Sequence, residues 1–596
     1  MSSARAVYQN PVYNRSFPDP FVLKFAGIYY AFSTGHSSDG RVFSMLRSED
    51  LVSWEEMAGA MAPLAQDHPC YWAPEVTYSN GKFYLYYSVG NEKLMEIRVA
   101  VSDRPSGGFV DAGIKLTNEE FAIDAHVARD DDGVWYMFYA TDFLNHTHIG
   151  TGTVVDRMLD PYTLAGDPRP VTRAKFDWQI YDAARKEKGG VRWHTVEGPF
   201  VLKHKGLYYE MFSGGNWQNI SYGVSYAVSN KILADEEWEQ FSDGIQTLPI
   251  LRTIAGEVVG PGHNCVAVGP NGRDLFCIYH YWSNGERVLA IDRMDYAGGG
   301  RLFVAGPTTS PQPIPSKSFL APRRGRLSTP ESFLLEITFR NSGRIDLVGD
   351  NNHVLLVLDV NAGGLAVSQP DAAGVKSVTA PPGFRIEAAH TITLEIDQLQ
   401  MALSFDGRHV AFQTILVNSV TAVDIEEHGA MEVLSLTLTP GFEDRFEDSI
   451  DEQSAHARGW KWAEDQKPTF GEGGILVLNN ASLCREAAAA SFEFAVNFRL
   501  RAVLGDGPAL AFKCGREFSL LFSDAQLWSA DGITDLPTGF DPATFHQFRF
   551  VSDGHTANIW LNEVSLGEVD AGPCRDLEIT ARNAVVELDM VRFTVR

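Results

Sequence analysis

A short aromatic β-pattern introduced by glycine recurs five times in the first half of this chain. The copies are GIYYAFS at Gly27, GKFYLYYS at Gly81, GVWYMFYA at Gly133, GLYYEMFS at Gly206 and GRDLFCIYH at Gly272. The glycines lie 54, 52, 73 and 66 residues apart, a period that suits one four-stranded antiparallel sheet per copy rather than the units of a helical solenoid. Companion fragments repeat as well: SMLRSEDLVSW from Ser44, RVAVSDRPSGGF from Arg98 and SYAVSNKILADEEW from Ser225 read as a strand, a turn and an edge segment. Five such sheets close around a central channel as propeller blades. A generic β-sandwich whose glycines only mark hairpins is the competing reading, and five matched copies argue against it.

Near Gly306 the composition changes to GPTTSPQPIPSKSFLAPRRGR. Such a proline-rich stretch cannot continue a central strand and reads as a connector, with the boundary near Ser316. The remainder looks duplicated: SFLLEITFR from Ser332 is echoed by SFEFAVNFR from Ser491, and ITLEIDQLQMALSFDG from Ile392 by HQFRFVSDGHTANIWLN from His546. Short alternating strands in two copies suggest tandem β-sandwiches, divided near the acidic segment GFEDRFEDSIDE that starts at Gly441. The expected fold class is all-β, with an N-terminal five-bladed β-propeller over residues 1–315, a β-sandwich over 316–440 and a second over 441–596.

At 596 residues the chain is long enough for two or three domains, none of which needs disulfide staples. A net charge of −26 repels phosphate backbones and anionic bilayers, so neither a nucleic acid nor a membrane is the expected partner. Six cysteines without a C-x-x-C pair, Cys70, Cys265, Cys277, Cys484, Cys514 and Cys574, argue against a zinc knuckle, a redox motif or a compact disulfide framework, and most of them read as buried apolar residues. The first ten residues lack the apolar run of a secretion signal, so the expected location is cytoplasmic.

A polar residue precedes the repeat glycine by 8, 9, 9 and 9 positions in copies one, three, four and five: Asp19, Asp124, Glu197 and His263. The strand before each hairpin is the innermost of a blade, so these side chains are expected to converge near the axis. Burying like charges together pushes their pKa values apart and is costly without a use for it. Inverting glycoside hydrolysis has such a use: one carboxylate activates water while a protonated carboxyl supplies the leaving oxygen with a proton. Taken singly, each acid reads equally well as a capping or turn residue.

The motifs NPVYNRSFPDPFV around Asp19, YWAPEV around Trp72 and Glu75, FAIDAHVARDDDG around Asp124, HTVEGPFVLKHKGLYYEMFSGG around Glu197 and GPGHN around His263 together resemble glycoside hydrolase family 43. That family holds five-bladed-propeller arabinofuranosidases, β-xylosidases and arabinanases, and the resemblance spans roughly residues 8 to 315. It implies Asp19 as general base, Asp124 as the orienting carboxylate that modulates pKa, and Glu197 as general acid. It also implies His263 at the channel floor, where many members face a bound calcium or other ion, often through water. A hydrogen-bonded core histidine is the plainer alternative there.

Arg287 in ERVLAIDRMDY resembles the arginine that reaches the sugar hydroxyls, with Arg293 as the alternative. Trp72 resembles a pocket-wall aromatic, and packing inside the blade is its plainer role; Glu75 reads as structural. Ser33 and Thr34 lead to Gly35 and His36, where β-xylosidases of the family carry an aromatic; His36 is placed among the residues facing substrate. His146 and His148 show no third ligand for a metal, and the run Asp130 to Asp132 reads as an exposed turn.

By this resemblance the substrate is a carbohydrate and the expected activity is removal of terminal α-L-arabinofuranose, with inversion, from plant-type oligo- or polysaccharides such as hemicellulose. A β-D-xylosidase, or a bifunctional enzyme, is the alternative within the class. A non-catalytic carbohydrate-binding propeller is the alternative outside it. No organic cofactor is expected, and oligomeric state stays open.

Overall fold

The computed structural model describes residues 7–596 except 67, 131, 243–246, 318, 321–323, 371–374, 381–383, 417, 427–428, 447–451, 472–474, 505–508, 515, 522–525, 530–531, 538–539 and 563. Asp131 of the acidic run, residues 447–451 of the acidic segment and the first six residues therefore lie outside the described residues. The protein is all-β, 3% helical and 59% strand. It divides into two compact units, residues 1–295 with 303–316, and residues 296–302 with 317–596. Among the described residues no helix is long and apolar enough to cross a membrane.

In the first unit each glycine of the repeat turns one hairpin, and consecutive segments form five antiparallel sheets. Their first strands are Phe21–Phe25, Cys70–Ser79, Ala122–Arg129, Val196–His204 and Val259–Val268. These five strands pack side by side in chain order, and the fifth returns to the first. Closure comes from the chain start: Val7–Tyr8 pairs with Gln312–Pro313, and Asn10 bonds across its side chain to the backbone of Ile291 at 2.8 and 3.0 Å. Aromatic residues of the second strands fill the space between sheets, Tyr87 with Phe43 in one layer and Phe138 with Trp238 in another.

The third sheet departs from the pattern. Beyond its regular strands it carries a further hairpin, Ile180–Arg185 with Val191–His194, joined to the strand Gly150–Asp160 by a parallel pairing of Gly150 with His194. This insertion accounts for the long interval between Gly133 and Gly206.

In the second unit the duplicated fragments occupy equivalent places. Ser332–Arg340 lies between His390–Asp397 and Glu432–Asp444, and Phe492–Val503 lies between His546–Ser552 and Ala584–Val595. Two apolar clusters result, one built from Phe333 through Leu438 and one from Phe442 through Phe593. The break expected after residue 440 falls inside one continuous strand, Glu432–Asp444, which pairs first with Ser332–Arg340 and then, from Gly441, with Ala584–Val595. Leu436 and Leu438 of this strand join the first cluster and Phe442 joins the second, so one extended segment serves both.

Candidate active site

On or just ahead of each first strand of the five sheets stands a residue held in the left-handed region: Asp19 (φ 50°), Ala73 (φ 41°), Asp124 (φ 60°), Gly198 (φ 58°) and His263 (φ 48°). Four of these are not glycine, and such backbone costs on the order of 1 kcal/mol or more apiece. In sheets two to five the strand pairing is irregular at the same place, as a bulge that re-aims a side chain requires.

The strain is offset by a repeated hydrogen bond from the backbone N–H to the preceding sheet. Ala73 donates to Thr34 Oγ1 at 2.8 Å, Asp124 to Ser88 Oγ at 3.0 Å, His263 to Ser213 Oγ at 2.7 Å and Asp19 to His280 Nδ1 at 3.1 Å. Gly198 donates instead to Asp124 Oδ2 at 3.0 Å. Gly198 is needed because a Cβ there would sit 3.2 Å from the His263 ring.

This geometry corrects the register read from the sequence. Asp19, Asp124 and His263 are structurally equivalent, but the fourth member of the set is Gly198. Glu197 precedes it by one residue, as Trp72 precedes Ala73, and stands just ahead of the irregular pairing between Glu197 and Phe200. Asp19, Glu75, Asp124, His263 and Asn264 line a cavity of about 10 Å³ with Ala73 and Gly198, room for one water molecule. Glu75, read as structural, is thus part of the same floor. It is buried, its Oε2 lies 2.8 Å from His126 Nδ1, and burial raises its pKa.

Burial alone would raise the Asp19 carboxyl, yet Arg287, His263, His280 and a Thr34 hydrogen bond together hold it well below the usual carboxylate range. Arg287 Nη1 donates to Asp19 Oδ1 at 2.9 Å. His263 and His280 are themselves held neutral by burial, and His280 Nδ1 accepts the Asp19 N–H, so the charge that Asp19 faces is Arg287. Arg293 pairs with Asp274 at 3.1 Å, which leaves Arg287 as the arginine of the site. The guanidinium of Arg287 lies 4.6 Å from the centroid of the Trp217 ring. Trp217 in turn stacks on Trp282 at 6.0 Å, and the Trp282 indole N–H donates to the Trp217 carbonyl at 2.6 Å.

Glu197 has the opposite electrostatics. Burial pushes its pKa up to about 7, against a lowering hydrogen bond from Tyr222 and with a raising contribution from Asp19. Asp124 is raised by burial and then by Glu197 and Asp19. The two acids cannot both be ionised at low cost. Tyr222 was invisible in the sequence pattern: its hydroxyl donates to Glu197 Oε1 at 2.8 Å, and its ring stacks on His280 at 5.9 Å.

Trp72 and His36 do not line the small cavity. Trp72 packs against the cluster of Cys70, Met95, Ile123 and Ala140, and His36 stands edge-on to Tyr71 at 5.6 Å. Calcium takes six to eight oxygen ligands, and among the described residues no group of three or more His, Cys, Asp or Glu is arranged to hold a metal.

The family described as "Glycosyl hydrolases family 43" matches residues 8–301. The chain is 28% identical to the "Beta-D-galactofuranosidase xynD" of Aspergillus niger, over 49% of this chain and 84% of that protein. It is 28% identical to the "Arabinan endo-1,5-alpha-L-arabinosidase B" of Emericella nidulans, over 48% and 82%. Among solved structures it is similar to "a thermostable family-43 glycoside hydrolase", with 34% identity, 52% of this chain and 99% of that chain covered, and a TM-score of 0.46. Through the unit that carries Asp19, Asp124 and Glu197, the chain belongs to glycoside hydrolase family 43.

Proposed function

We propose that this glycoside hydrolase removes terminal non-reducing α-L-arabinofuranosyl residues with inversion. In this reading the five sheets are the blades of one propeller over residues 1–315, followed by β-sandwiches over 316–440 and 441–596. The observation that carries it is a pair of buried carboxyls in opposite protonation states, Asp19 ionised against Arg287 and Glu197 protonated by burial.

Asp19 takes a proton from a water whose oxygen attacks the anomeric carbon. The bond from that carbon to the leaving oxygen breaks, and Glu197 delivers its proton to that oxygen. Asp124, bonded to the Gly198 N–H and in mutual repulsion with Glu197, shares with it a site where only one of the two carboxyls ionises at low cost, which favours the protonated acid. Arg287 holds the base ionised and offers its remaining donors to sugar hydroxyls. Trp72 and His36 act from farther out, as walls of the mouth.

A furanoside is favoured by the relatives. A β-D-galactofuranoside and an α-L-arabinofuranoside present the same hydroxyl layout on a five-membered ring, and a galactofuranosidase and an exo-acting arabinofuranosidase are named in the descriptions of two related proteins. β-D-Xylosides present a related layout and are the second reading, since small differences in a pocket shift such preferences by only a few kcal/mol.

The test is hydrolysis of aryl α-L-arabinofuranoside and aryl β-D-xyloside by wild type, Glu197→Ala and Asp19→Asn, with NMR of the first-formed anomer. Turnover lost in both variants and an inverted product are expected. A retained anomer would refute inversion, and no wild-type turnover on either glycoside would favour a binding protein.

A further inference from the structure

The hairpin inserted in the third sheet borders the acid side of the site. Thr195 N–H donates to the Gln179 carbonyl at 2.8 Å, two residues before Glu197. Asn216 Nδ2 donates to the Tyr181 carbonyl at 3.0 Å, and Trp178 stacks on Phe212 of the neighbouring strand at 6.1 Å. The hairpin is thereby fixed to the ends of the two strands that carry Glu197 and Ser213, which face each other in register.

Its charge runs against that of the chain. Between Ile180 and His194 stand four cations, Arg185, Lys186, Lys188 and Arg192, and two carboxylates, Asp182 and Glu187, in a protein of net charge −26. Lys188 is neutralised by Asp142 at 2.7 Å. Arg185 is different: its guanidinium lies 5.0 Å from the ring centroids of both Tyr181 and Trp193, and among the described residues no carboxylate lies within ion-pair distance of it. Two aromatic faces hold the fork in place, so little side-chain freedom remains to be lost on binding. Its charge reaches Glu197, whose carboxyl it lowers.

On the proposed mechanism, which this inference takes as its basis, Glu197 protonates the leaving oxygen, so a group beside Glu197 and outside the cleaved bond belongs to the leaving group. We propose that Arg185 recognises a carboxylate on that leaving group, so that the enzyme takes pentosyl residues attached to a uronic acid. A planar guanidinium pairs with a carboxylate through two parallel hydrogen bonds. The negative charge elsewhere on the protein is screened beyond about 8–10 Å at physiological salt, so it does not cancel a contact at this distance.

The experiment compares an α-L-arabinofuranosyl-galacturonic acid disaccharide with its methyl ester, which removes the charge and keeps the sugar. Wild type at pH 6 is expected to show kcat/KM about tenfold higher on the acid, with the preference shrinking in high salt. Arg185→Gln brings the acid-to-ester ratio to about one, and Arg185→Lys retains part of it. Equal kcat/KM on acid and ester in wild type overturns the inference without recourse to any variant. Calorimetry of both disaccharides with Glu197→Ala separates binding from chemistry. Tighter binding of the acid sustains recognition by Arg185 even if wild type turns over no glycoside, a result that would defeat only the hydrolase reading; equal binding overturns the inference.

Discussion

The Tyr222 hydroxyl donates to Oε1 of Glu197 at 2.8 Å, which leaves Oε2 to carry the proton toward the leaving oxygen. Burial keeps Tyr222 itself protonated, with its pKa raised well above the ordinary value, so it stays a donor throughout the working pH range. Tyr222→Phe removes a bond that lowers the Glu197 carboxyl. The alkaline limb of the pH–rate profile should then move to higher pH while kcat falls by about tenfold. A profile that keeps its alkaline limb in place would show that Tyr222 does not touch the group that limits the rate.

Arg287 is the charge that offsets the burial of Asp19. In wild type, kcat/KM should stay flat through the acid range, because Asp19 is held below the usual carboxylate values, and decline above about 7 as Glu197 loses its proton. Arg287→Ala leaves burial unopposed, so the Asp19 pKa rises and an acid limb appears where wild type has none. A loss of about 100-fold or more in kcat/KM is expected from uncovering a buried charge. Steady-state rates from pH 4 to 9 on an aryl arabinofuranoside check both limbs.

The five-sheet plan was legible because glycine turns and aromatic alternation are local signals that survive in each copy, down to the long interval before Gly206 that marks the inserted hairpin. Asp19, Asp124 and His263 were legible for the same reason, since each sits at one backbone position of the repeat. Glu197 was found by its motif but in the wrong register, because the position it was matched to belongs to Gly198, and counting back from a hairpin cannot distinguish a residue from its neighbour across a bulge. Tyr222 and Trp217 reach the site from loops. Such residues follow no period, and only the folded chain brings Tyr222 beside Glu197.

The Gly262 of GPGHN has a packing reason. A Cβ at that position would meet the Tyr222 ring at 2.0 Å, and neither the strand Val259–Val268 nor a ring stacked on His280 can give way cheaply. Gly262→Ala should destabilise the protein by about 1–3 kcal/mol and displace the hydroxyl that holds Glu197. Gly262→Ala combined with Tyr222→Ala should recover much of the lost stability, because the clash is then absent. Denaturant unfolding of the two single variants and the double variant measures this coupling; strict additivity would mean that the contact is not what makes glycine necessary.

Glu210 is fully buried in the strand Leu207–Gly214, away from the residues assigned to catalysis, and accepts a hydrogen bond from Thr172 Oγ1 at 2.5 Å. Burial raises its pKa from 4.5 to about 7. The folded protein therefore keeps a proton that the unfolded chain releases, and stability falls as pH rises through that window, by about 3 kcal/mol in total. Glu210→Gln cannot ionise and removes this dependence. The variant should gain on wild type in unfolding free energy between pH 5 and pH 8, the gain growing with pH, while kcat on an aryl glycoside at pH 6 stays close to that of wild type. Denaturant melts of both proteins at the two pH values decide it: an equal difference at pH 5 and pH 8 would mean that Glu210 is already ionised in the folded protein at pH 5, held by the Thr172 hydroxyl against its burial.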